Sequence, residues 1–225
     1  MKQNLALQQS YSGKGETGNI LLFSCLFSIL MLAARILYTG SFLFIFLIWN
    51  LFLAYIPYVL SNYILRNAGN KEKLRCLIPL FVIWLLFFPN SFYIITDLFH
   101  LRITEDMPLW FDLALIFSFA WNGLLPGILS LRQMEKLMVT QFKLKNELFF
   151  IYPIMCLTSM GIYIGRYLRF NSWDVLTNPF ALSGAVLELF IHPLRNRYDW
   201  SMMICFSVWM MLIYFSIKKL SRMIR

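Results

Sequence analysis

Charged side chains are scarce in this chain, histidine is rarer still, and cysteine never falls into a metal-binding or redox spacing. Asp, Glu, Lys and Arg make up 14% of the residues and hydrophobic types 60%, and the mean hydropathy is +0.65. A water-soluble domain of 225 residues has too little interior to hide that much apolar surface. Lipid is therefore the solvent for most of the chain. The four cysteines, Cys25, Cys76, Cys156 and Cys205, lie in separate apolar blocks with no C-x-x-C pair. That spacing excludes a zinc ribbon or disulfide framework and leaves them as small apolar residues. No serine stands in a G-x-S-x-G turn, and no Walker, dinucleotide or kinase signature occurs, so no cofactor is implied. No fixed-period repeat and no matching halves of the secondary-transporter kind are visible.

Apolar blocks recur along the chain instead. A hydrocarbon core of ~30 Å takes about 20 apolar residues per helix, and the backbone must satisfy its own hydrogen bonds there. The blocks predict an all-α, polytopic transmembrane helical bundle of six spans. These cover about 20–38, 41–60, 74–96, 109–131, 148–168 and 202–220 within a single transmembrane domain at 19–220. Residues 1–18 read as a flexible cytoplasmic tail and 221–225 as a second tail. LMLAAR is a poor signal-peptidase site, so the first block is expected to be retained. The two-residue break at Thr39-Gly40 makes the first two helices a tight hairpin, and Arg35, near the end of the first, is expected to snorkel to the interface. Pro179 to Ile191, too short and polar for a span, reads as an interfacial or re-entrant helix in the long loop before the last span.

Basic residues set the orientation. Fourteen of the 20 Lys and Arg fall in the N-terminal tail, the 66–75 and 132–145 loops and the C-terminal stretch; the remaining six, Arg35, Arg102, Arg166, Arg169, Arg195 and Arg197, fall on the alternate side. The positive-inside rule then puts both termini in the cytoplasm. The net charge of +9 is thus a topology signal, not a nucleic-acid footprint, because the cations recur between apolar blocks.

The polar residues of interest gather on the expected outer side. In PNSFYIITDLFHL, residues 89–101, Asn90, Tyr93, Asp97 and His100 share one face of an α-helix at i, i+3, i+7 and i+10. Pro89 removes a backbone donor and leaves the Leu85 carbonyl without its usual partner, a gap Asn90 is placed to compensate. Asp97 and His100 one turn apart, with Asp112 nearby, are candidates for acid/base work or, weakly, for metal ligation by Asp97 and His100; capping and ion pairing are the simpler readings. Asn50 and Asn122, near mid-span, read as interhelical hydrogen-bonding residues or as substrate lining. The fifth helix carries Gly161-x-x-x-Gly165, a packing device, followed by Arg166, Arg169 and Asp174. Its two guanidinium groups suit either a carboxylate partner on a neighbouring helix or an anionic lipid headgroup or small anion.

Four stretches, WNLFLAYIP (49–57), FFPNSFYIITDLFHL (87–101), WFDL to FSFAWNG (110–123) and GIYIGRYLRFNSWD (161–174), resemble an uncharacterised family of bacterial integral membrane proteins, domain of unknown function 1361. The resemblance implies a multi-pass helical fold in a bacterial plasma (inner) membrane and assigns no activity, substrate or catalytic residue. The family's motif residues here are Pro89, Asn90, Tyr93, Asp97, His100, Asp112, Arg166, Arg169, Trp173 and Asp174. The expectation is one polar site at the outer ends of helices three, four and five. A membrane-embedded hydrolase or transferase acting on lipid or envelope substrates, and a small-solute transporter using Asn90, Asn122 and Asn50 as a path, are the alternatives. Oligomeric state is left open.

Overall fold

The computed structural model describes residues 2–67, 74–102, 106–141, 143–144 and 146–223, with side chains from 18 onward except at 74–76. Lys71, Lys73, Lys145 and Arg225 of the Lys and Arg tally lie outside the described residues, as do the side chains of Lys2, Lys14, Arg75 and Cys76. No strand occurs among the described residues. The chain forms α1 (Lys2–Thr39), α2 (Phe46–Asn67), α3 (Leu74–Tyr93), a 3-10 segment (Ile94–His100), α4 (Leu109–Gln141), α5 (Leu148–Arg166), the short α6 (Asp174–Thr177), α7 (Pro179–Ile191) and α8 (Arg197–Met223). Six of these stretches are long and apolar enough to cross a membrane. The protein is a multi-pass membrane protein of all-helical fold.

Three details depart from the sequence expectations. The N-terminal stretch is helical from Lys2, continuous with the first span; it holds no proline to break a helix already nucleated by the apolar block. The first two helices are joined not by two residues but by 40–45: Gly40, at φ +66°, caps α1 by donating its amide to the Ile36 carbonyl at 2.8 Å, the left-handed ending that glycine makes without strain. The third α-helix stops at Tyr93 and tightens into the 3-10 segment before Asp97.

α4 is the central helix, with 61% of its span buried inside the protein against 22% for α1 and α8. α2 and α3 pack on it as a three-helix centre, α1 lies against its first half, and α5 joins α3 to α8. α3 fits between two glycine faces. A Cβ on Gly127 of α4 would stand 2.5 Å from Ser91 Cβ, and one on Gly161 of α5 would stand 2.6 Å from Pro89 Cγ. Small residues four apart let backbones approach this closely where lipid supplies no hydrophobic drive between helices. Hydroxyls then tie the centre together: Ser91 donates to the Ala54 carbonyl at 2.8 Å, and Trp84 donates to Ser130, which donates to the Pro57 carbonyl.

Two buried ionic clusters fix the outer helices. Arg35 does not snorkel: it is 2% exposed, makes a two-pronged contact to Asp112 of α4 at 2.7 and 3.1 Å, and lies over the Phe44 ring. A guanidinium so close to a carboxylate is better served by that fork than by the interface. At the opposite end of the bundle, Lys218 of α8 donates to Glu135 of α4 at 2.6 Å and to Glu147, just before α5, at 2.5 Å, while the Tyr214 hydroxyl donates to Glu135. Lys218 also holds the Glu147 carboxyl below the usual carboxylate range.

Candidate functional site

The 3-10 segment aims Asp97 into the protein, where it is 0% exposed. One carboxylate oxygen accepts the Asn50 side-chain amide of α2 at 2.8 Å. The other has no hydrogen-bond partner, its nearest cation being Arg166 at the end of α5, 3.6 Å away and beyond hydrogen-bond length. Arg166 instead meets the His100 Nε2 at 2.9 Å and lies over the Tyr93 and Phe99 rings. Because a guanidinium can only donate, His100 Nε2 is the acceptor and its proton resides on Nδ1. The imidazole itself is exposed and packs on Phe46 at 4.9 Å between centroids.

Beside this cluster a cavity of about 370 Å³ runs along α3 between α2 and α5. Its length is apolar, lined by residues such as Leu53, Val82, Leu86 and Leu157, and its head is polar, where Asn50, Asn90, Tyr93, Asn171 and Ser172 meet under Trp173. Asn50 belongs to both features, lining the cavity on one side and donating to Asp97 on the other. Asn90 donates to the Phe87 carbonyl and to the Ser172 hydroxyl, both at 3.0 Å. It thus caps a carbonyl two residues beyond Leu85 and holds the 170–173 turn over the groove. Trp49 and Trp173 approach edge to face at 6.4 Å across its mouth.

Of the residues singled out in the sequence, Asn90 and Tyr93 line the groove, and Asp97, His100 and Arg166 form the adjoining cluster. Asp112 is held by Arg35 on the α1 side of α4 and does not line the groove, whose helical walls are α2, α3 and α5. Arg169 is exposed, at φ +61°, in the turn after α5. Asp174 faces its own turn: the Asn171 backbone amide, then the Thr177 hydroxyl, hold its carboxyl below the usual range. Asn122 donates to the Ser24 carbonyl and the Ser28 hydroxyl, clasping α1, and does not line the groove with Asn50 and Asn90. Among the described residues no group of three or more His, Cys, Asp and Glu gathers as a metal site. The 2.9 Å Arg166 contact also places a cation where a metal on His100 Nε2 would sit.

Sequence reasoning missed Asn50 as the partner of Asp97, Ser172 as the partner of Asn90, and the glycine face of α4. The last was readable: Gly123-Leu-Leu-Pro-Gly127 has the same spacing as the pair on α5. The two partners carry no local signal, because each lies 47 or more positions away in sequence.

No curated protein and no solved structure matches the chain. The family model described as protein of unknown function (DUF1361) matches residues 49–213, a stretch that includes most of α2, the α3 groove, the Asp97 cluster and most of α8, and the chain belongs to that family.

Proposed function

We propose that the α2/α3/α5 groove binds an amphiphile taken from the bilayer, its tail along the apolar length and its head at Asn50, Asn90 and Ser172. The observation that carries this is the continuity of one 370 Å³ cavity from an aliphatic lining to a cluster of side-chain amides. An apolar cavity with a few convergent polar groups is the usual form of a small-molecule site, and here lipid is the nearest source of such a molecule. The Lys and Arg tally supports an outward-facing head, and the family resemblance supports a bacterial plasma membrane around it. Asp97 and Arg166 support the head from behind by fixing Asn50 and Tyr93.

Native mass spectrometry of the detergent-purified protein tests the reading. Val82 is 58% exposed and Leu157 43% exposed on the groove wall, so a tryptophan at either fills the groove without entering the core. Wild type is expected to retain lipid that Leu157→Trp releases, while Leu212→Trp, on the exposed side of α8, retains it. Equal lipid retention by all three proteins would remove the groove from consideration.

A further inference from the structure

We infer that the groove selects a neutral, hydrogen-bond-donating head, such as a glycerol or other polyhydroxyl group, and disfavours a phosphate or carboxylate. The inference rests on the groove reading above and names its ligand class. It reverses the expectation drawn from the arginines alone.

The orientation of two amides carries it. Asp97 is an acceptor, so the amide nitrogen of Asn50 must face it at 2.8 Å, and the Asn50 carbonyl oxygen is turned away from the carboxylate. The Phe87 carbonyl likewise accepts only, so it fixes the nitrogen of Asn90 at 3.0 Å and turns that oxygen away in the same manner. Neither oxygen is among the buried side-chain atoms without partners, and both residues line the cavity. The head of the groove therefore offers two amide oxygens as acceptors beside the Tyr93 and Ser172 hydroxyls, which can donate or accept, a set matched to a neutral polyhydroxyl group.

Three further features agree. No charged side chain is among the residues that line the cavity. Arg166, the cation closest to the cluster, is engaged by His100, lies 3.6 Å from Asp97 and covers two rings. The Tyr93 and Ser172 hydroxyls, which line the head, can each donate to or accept from a hydroxyl of the ligand. An anion there would meet two amide oxygens and no cation in the lining, with the Asp97 carboxylate behind Asn50, whereas a hydroxyl group would meet both acceptors and donors. At roughly 30 Å³ per water- or methylene-sized group, a cavity of 370 Å³ holds about a dozen such groups, a small head and the first part of one chain together.

The test is titration of the purified, delipidated full chain in detergent with a twelve-carbon monoacylglycerol and with the lysophosphatidate of the same chain, followed by native mass spectrometry. Monoacylglycerol is expected to bind at least tenfold more tightly. Asn90→Ala, judged folded by its melting transition, is expected to lose most of that preference. Lysophosphatidate binding as tightly or more tightly overturns the inference and leaves the groove reading standing. A folded Asn90→Ala protein that keeps the full preference also overturns it. Binding of neither lipid, or binding unaffected by Leu157→Trp, removes the groove reading and the inference with it. Should Asn90→Ala fail to fold, the comparison of the two lipids on the wild-type chain decides alone.

Discussion

Breaking the Arg35–Asp112 pair is expected to be among the most damaging single changes outside the packed centre, while removing both partners together is expected to be nearly harmless. The two side chains are each 2% exposed and joined by bonds of 2.7 and 3.1 Å, yet one guanidinium nitrogen, Nη1, has no partner. Two charges desolvated together with one donor unsatisfied gain little net stability from the pair, but stranding either charge costs about 3–5 kcal/mol. Arg35→Met or Asp112→Asn should therefore lower the unfolding free energy by about that amount, and the double variant Arg35→Met/Asp112→Leu should fall within about 1 kcal/mol of wild type or exceed it. Reversible unfolding in mixed micelles, titrated with sodium dodecyl sulfate and followed by tryptophan fluorescence, compares the three variants with wild type. A cost below about 1 kcal/mol for Asp112→Asn would refute the reasoning, because it would mean the carboxylate is not committed to Arg35. Loss of lipid binding by Asp112→Asn at unchanged stability would return Asp112 to the ligand site.

Further outcomes follow from the same geometry. Gly127→Ala and Gly161→Ala, whose new methyl groups would meet Ser91 Cβ at 2.5 Å and the Pro89 ring at 2.6 Å, should each destabilise by about 1–3 kcal/mol in the same titration. Gly184→Ala, with nothing within 4 Å, should instead be neutral or stabilising by up to about 1 kcal/mol. Arg166→Met leaves the fully buried Asp97 without a cation and should cost several times more than His100→Ala, which removes one exposed hydrogen-bond partner worth about 1 kcal/mol. Lys218 holds the Glu147 carboxyl below its ordinary range, so the stabilisation from Glu147 is complete above that range and is lost as pH falls through the lowered value. Melting temperatures of wild type and Glu147→Gln should accordingly differ near neutrality and converge in acid; a difference that persists in acid would contradict the pairing.

What the sequence determined by itself was the class of solvent and the period of the chain. Apolar blocks of membrane-spanning length have to be helices in lipid because no water is there to satisfy an open backbone, and six of them were legible from hydropathy alone. The glycine pair on α5 and the Asn90–Tyr93 part of the polar stripe were also legible, since both are local patterns set by the α-helical repeat, whereas the 3-10 segment takes Asp97 and His100 off that face. The glycine pair on α4 was equally local and went unread. Tertiary structure decided which polar residues meet. Asp97 and Asp112 look alike in sequence, each an acid near the expected outer end of a span, yet one is held by Asn50 with Arg166 nearby and the other by Arg35. That partition depends on how helices 47 to 77 residues apart pack around α4, and no local periodicity encodes it. That Arg166 meets His100, and that the amide nitrogens of Asn50 and Asn90 face Asp97 and the Phe87 carbonyl, was equally beyond the sequence, because hydrogen-bond direction is fixed by the partner and a sequence does not name partners.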